Sequence, residues 1–154
     1  MLTFVTAPNY EVPTDVGGDN VYEVIVRIVD NGSPALDDTQ ALSVTVTDAN
    51  DAPVITSNGG GATAAISVAE NSTAVTTVVA TDADLPAQGL AYSISGTDAA
   101  KFSINSTSGV LTFVSAPDFE TKLDVGANNV YDLIVTVTDD GRDRKSTRLN
   151  SSHV

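Results

Sequence analysis

The chain has 154 residues, with 20 acidic against seven basic side chains, a formal net charge of −13, and neither Cys nor Trp. Without Cys there can be no Cys₄ zinc site, iron–sulfur cluster or thiol nucleophile, and so acidic a surface repels nucleic acid and anionic lipid. No apolar run reaches the ~20 residues of a bilayer-spanning helix, so membrane insertion is not expected, while 40 of the 154 residues are Val or Thr, the material of strands.

Taken in chain order, the predicted elements are all strands. Val21–Val29 alternates with a period of two, which places Tyr22, Val24, Val26 and Ile28 on one face. Turn residues follow at 30–34, and residues 41–47 alternate again. Short strands are predicted at residues 54–57, 64–68, 75–80, 90–95, 102–104 and 110–114, with turns at 58–61 and 106–109. Val130–Thr138 repeats the pattern of Val21–Val29. Many short strands separated by turns at this spacing indicate an all-β fold, a β-sandwich.

That echo is part of a longer one. Residues 2–32 recur at 111–141 without insertion or deletion, at a constant offset of 109, and 17 of the 31 aligned positions are identical. A period longer than the roughly 20–50 residues of solenoid units points to tandem copies of a whole small domain. The chain then reads as a slice through an array. Residues 1–51 are the end of one repeat with its linker, 52–141 are a second repeat lacking its last strand, and 142–154 are a tail. The tail holds four of the seven basic residues and the only His, the Val/Thr alternation stops there, and its string resembles a translated sequencing adapter. It is expected to be non-native or disordered, leaving the second repeat with an open sheet edge.

The chemistry lies in acidic motifs. Asp48, Asn50 and Asp51 precede Pro53; Glu70 precedes Asn71; Asp82 and Asp84 form Asp-x-Asp; and Pro-x-aromatic-Glu occurs twice, ending at Glu11 and Glu120. Hard oxygen ligands dominate, and six to eight oxygens at about 2.3–2.6 Å are what Ca²⁺ requires. Asp-x-Asp on an extended segment sends both carboxylates to one side, where they repel each other without a cation. The competing reading is that such residues at strand ends are turn formers. Catalysis finds little support: a Ser-His-Asp set has no usable His, and these acids recur with the repeat and flank turns.

The order Ala-Glu-Asn at Glu70, Asp-Ala-Asp at Asp82 and Asp84, Phe102-x-Ile104, Gly109-x-Leu111, Asp-Phe-Glu at Glu120 and Asp-x-Gly at Asp139 resembles the cadherin repeat, as does Asp-Ala-Asn-Asp-Ala-Pro at 48–53. The likeness is to the cadherin-like arrays of large bacterial surface proteins in particular. It implies Greek-key β-sandwich repeats with Ca²⁺ between them. Carried over by motif, the junction uses Glu11, Asp48, Asn50, Asp51, Asp82, Asp84 and Asp139, with Asn50 and Asp51 facing different ions. Asp30 belongs to the preceding junction, and Glu70, Asp118 and Glu120 to the following one. The first repeat has Asn9 where the family has Asp, one charge fewer, which implies fewer or more weakly held ions. The resemblance further implies a calcium-stabilised structural repeat of an extracellular, adhesin-like protein supporting cell adhesion. Its partners would be neighbouring repeats and a homophilic or cell-surface ligand, with no role for nucleic acid. The alternative is a carbohydrate- or protein-binding β-sandwich module without metal dependence, for which an exposed Trp platform is lacking.

Overall fold

The computed structural model describes residues 1–84, 87–141 and 146–153, the last of these by backbone alone. Two compact units divide the chain, Met1–Ala49 and Asn50–Val154. The division falls two residues before the expected boundary after Asp51.

The first unit is built on a two-stranded antiparallel hairpin, β1 (Val21–Val29) and β2 (Asp37–Thr45), in register from Val21 opposite Thr45 to Val29 opposite Asp37. Asp30 shapes the connection. Its Oδ1 accepts the N–H groups of Gly32 and Leu36, both at 2.9 Å, and these bonds hold its carboxyl below the usual carboxylate range. Ahead of β1, the carboxylate of Asp15 accepts the N–H groups of Asp19 and Asn20, and Asn20 Nδ2 donates to Tyr10 O at 2.9 Å. A hairpin alone covers little apolar surface, and Ile25 and Ile28 remain 73% and 66% exposed.

The second unit is a β-sandwich. One sheet runs in the order β10-β9-β6, with β6 Ala91–Ser95, β9 Val130–Thr138 and β10 Ser146–His153. The other runs β4-β8-β7, with β4 Ala74–Thr77, β7 Phe102–Ile104 and β8 Val110–Phe113. A short pair, β3 (Val54–Ile55) and β5 (Ala80–Thr81), completes the strands, and a single 3₁₀ turn, Ala99–Lys101, leads into β7. Alternation on β9 buries Tyr131, Leu133, Val135 and Val137 together, as the period of two requires. Across the sandwich they meet Phe102, Leu111 and Phe113. The Phe102 and Phe113 rings lie 4.3 Å apart, and Tyr131 stands edge-on to both at 5.8 and 5.1 Å.

The loop before β9 repeats the one before β1 at the same offset of 109. Asp124 accepts the N–H groups of Asn128 and Asn129, both at 2.9 Å, and Asn129 Nδ2 donates to Phe119 O at 3.0 Å. Asn20 and Asn129 share the left-handed backbone, at φ 64° and 62°. The identical residues Asp15/Asp124 and Asn20/Asn129 thus carry one brace twice.

Two departures from the sequence expectations have physical causes. Residues 64–68 form no strand. The chain leaves the turn at 58–61 through positive φ at Asn58, Gly59 and Gly60 and makes an isolated bridge at Thr63; farther on, Asn71 N–H meets Pro117 O and Phe113 N–H meets Thr73 O. Ala64 lies in the core and Val68 packs against it. The tail departs further, because the backbone of Ser146–His153 is a strand on β9 and not outside the fold. Its pairing, Ser146 opposite Thr138, matches Asp37 opposite Val29 at the offset of 109, until a register shift between Asn150 and Ser152. A sheet edge recruits extended backbone through N–H and C=O groups, which every residue but Pro carries in full, so loss of Val/Thr alternation does not forbid pairing.

Candidate metal centre

The linker and the Asp-x-Asp motif meet within the second unit. Asp51 N–H donates to both carboxylate oxygens of Asp84, at 3.0 and 3.1 Å, and Asp51 and Asp84 present carboxylate oxygens within 4.8 Å of each other. Asp84 is 2% exposed. The Asp-x-Asp spacing works differently from the expected side-by-side pair, since Asp84 N–H donates to Asp82 Oδ1 at 3.0 Å and the motif closes into an Asx turn. Asp82 Oδ2 is shielded from solvent and has no hydrogen-bond partner.

Asn50 ties this group to the end of β9. Its Nδ2 donates to Asp139 Oδ2 at 3.3 Å, and Asp139 Oδ1 accepts Gly141 N–H at 2.9 Å. A Cβ at Gly141 would run into the Asn50 and Gln88 side chains, so a larger residue there would have to push their amides aside. Gln88 closes the group, donating its amide to Asp84 Oδ2 at 2.7 Å and to Asn50 Oδ1 at 3.0 Å. Among the described residues no basic side chain takes part, and the one ion pair is Arg27–Asp37, 2.7 Å, in the first unit. A buried carboxylate with like charges around it and no basic partner is costly, which is the condition a bound cation relieves.

A second acidic group is Glu70, Asp118 and Glu120, all exposed, with carboxylate oxygens within 4.8 Å of one another. Glu70 Oε2 accepts Phe119 N–H and Asp118 Oδ1 accepts Glu120 N–H, both at 3.0 Å. The Thr121 hydroxyl and the Glu120 N–H hold Asp118 below the usual carboxylate range. Glu120 is drawn down by its own N–H, yet its hydrogen bond to Asp118 and the charge of Glu70 carry it upward on balance. A groove of about 320 Å³ runs beside them, lined by Val68, Pro117 and Phe119 as well as the acids.

Of the residues singled out in the sequence, Asn50, Asp51, Asp82, Asp84 and Asp139 come together, as do Glu70, Asp118 and Glu120. Glu11, Asp30 and Asp48 belong to the first unit. There Glu11 N–H donates to Asn9 Oδ1 at 2.8 Å, so Asn9 performs for Glu11 the backbone task that Asp118 performs for Glu120. Two participants carried little signal. Gly141 was visible as the partner of Gly32 in the repeat and as the end of Asp-x-Gly, without a role of its own, and Gln88 as an isolated amide four residues after Asp84.

A family model of the cadherin domain matches residues 64–151, a span that takes in most of β10. Protocadherin Fat 4 of Mus musculus is 30% identical over 141 residues, 88% of this chain and 3% of that protein, and Protocadherin Fat 4 of Homo sapiens is 31% identical over 134 residues, 84% and 2%. The chain therefore spans only a few hundredths of these relatives' length. Among solved structures, Protocadherin Gamma C5 EC1-3 superposes with a TM-score of 0.62 at 26% identity, over 91% of this chain and 45% of that one. Protocadherin gammaB7 EC3-6, described as a cis-dimer, gives 0.58 at 27%, over 92% and 34%.

Proposed function

The chain belongs to the cadherin family, and from that premise we propose that it is a calcium-stabilised segment of an extracellular adhesion array. Ca²⁺ bound where one repeat meets the next restrains the joint. The residues that fit the ion are Asn50, Asp51, Asp82, Asp84 and Asp139, joined by Glu11 and Asp48 as the family resemblance implies. The observation that carries this reading is Asp84, buried beside Asp51 with no basic partner among the described residues, while Asp82 Oδ2 stays orphaned. The donors are all oxygen, which suits a hard cation with many ligands, and the ion supplies positive charge that no described side chain brings to the site. Glu70, Asp118 and Glu120 form the corresponding acidic group for a following repeat, and Asp30 for a preceding one. The cis-dimer of the gammaB7 relative supports a homophilic partner besides the neighbouring repeats. As in other cadherin repeats, the role is structural and not enzymatic.

Isothermal titration of the 154-residue chain with Ca²⁺, and separately with Mg²⁺, tests the proposal. Saturable Ca²⁺ binding is expected, with Mg²⁺ markedly weaker because it demands octahedral geometry and holds its waters. Absence of Ca²⁺ binding would overturn it.

A further inference from the structure

Two side chains bring amide donors to the acidic group, Asn50 to Asp139 and Gln88 to Asp84, and only Gln88 reaches the buried carboxylate among the described residues. Its amide nitrogen donates to two different oxygens, Asp84 Oδ2 at 2.7 Å and Asn50 Oδ1 at 3.0 Å, while its own Oε1 is shielded from solvent without a partner. An NH₂ group shared between a carboxylate and an amide oxygen places partial positive charge where a divalent cation would coordinate. Amide and cation therefore compete for the same oxygens.

We propose that Gln88 is an affinity-setting residue for a divalent cation at this site: its amide satisfies Asp84 and Asn50 in place of the ion and has to be displaced for the ion to enter. The inference rests on the calcium reading above. Asp84, 2% exposed, is reached by few other donors, chiefly the N–H of Asp51, so removing the Gln88 amide penalises the protein most when no cation is bound. The uncorked site then gains more from the ion. Gln88 thus lowers affinity in exchange for tolerance of low calcium.

The test compares wild type with Gln88→Ala and Gln88→Met, the second keeping the length and losing both donors. Calcium titration by calorimetry and melting in chelator are measured for all three. Both variants are expected to bind Ca²⁺ about tenfold more tightly, the size of one charge-assisted hydrogen bond lost from the competing state, and to melt lower in chelator. Unchanged affinity would overturn the inference. Weaker binding in both variants would overturn it too, because Gln88 would then be a ligand and not a competitor. If wild type itself binds no Ca²⁺, the calcium reading fails and the inference with it; if wild type binds and the variants match it, only the inference fails.

Discussion

Substituting Asp84 by Asn should have opposite effects on stability with and without calcium. The carboxylate accepts Asp51 N–H and the Gln88 amide, and exchanging charged for neutral acceptors costs about 1–2 kcal/mol. Against this, the Asp51 carboxylate lies within 4.8 Å, and at an effective dielectric constant of about 20 the relieved repulsion is about 3 kcal/mol, reduced by solvent screening because Asp51 is exposed. In chelator the two effects nearly cancel, leaving Asp84→Asn between neutral and about 1 kcal/mol more stable. In calcium the sign reverses. A ligand charge is lost, and a tenfold weaker ion forfeits about 1.4 kcal/mol; set against the gain of up to about 1 kcal/mol without calcium, the net loss is about 0.4–1.4 kcal/mol, a melting point roughly 2–8 °C below wild type. Circular dichroism melting in both buffers reads the two numbers. Asp132→Asn, an exposed acid on β9, is a suitable control, whereas Asp98 is not: it is buried and accepts Val125 N–H at 2.9 Å and Asp132 N–H at 2.8 Å. Equal shifts of Asp84→Asn in calcium and in chelator would refute the reasoning.

Gly109→Ala should destabilise by more than about 2 kcal/mol, because φ is +69° and the new Cβ would run into Val78 O, whose residue also donates its N–H to Gly109 O at 2.9 Å; urea unfolding within about 0.5 kcal/mol of wild type would contradict this. Val137→Ala, at 0% exposure in the sandwich core, should cost about 2–3 kcal/mol by the same measurement, and a cost under about 1 kcal/mol would mean that the core collapses around the gap. Burial pushes the Asp124 carboxyl up, but the N–H groups of Asn128 and Asn129 draw it below its ordinary 3.8, so its contribution to stability is present above that pH and lost as pH falls through the lower folded value. Asp124→Asn should therefore flatten the acid limb of a stability–pH curve, and an unchanged limb would contradict the brace.

What was legible in the sequence is what repeats or alternates. The offset of 109 located β1 and β9, the period of two oriented Tyr131, Leu133, Val135 and Val137, and the motif order located both acidic groups. Local chemistry decided the rest. Asp82 and Asp84 look like a repelling pair on an extended strand, but the short Asp side chain reaches a backbone N–H two residues on, so the motif turns. Residues 64–68 have strand-like composition, yet pairing needs a neighbour in register, and it is Thr63, just ahead of them, that makes the bridge. Gln88 lies outside every periodic pattern, and only tertiary folding brings it to Asn50, 38 residues away. The tail was set apart by composition, while its pairing with β9 depends on main-chain groups, which composition does not encode.

The most direct test of calcium at the junction is the melting of the whole chain in calcium and in chelator. At about 100 times the dissociation constant, an ion that binds only the folded protein adds about 2.7 kcal/mol per site, so the calcium curve should lie at clearly higher temperature and move further up with concentration. Superimposable curves at every calcium concentration would contradict a cation at this junction.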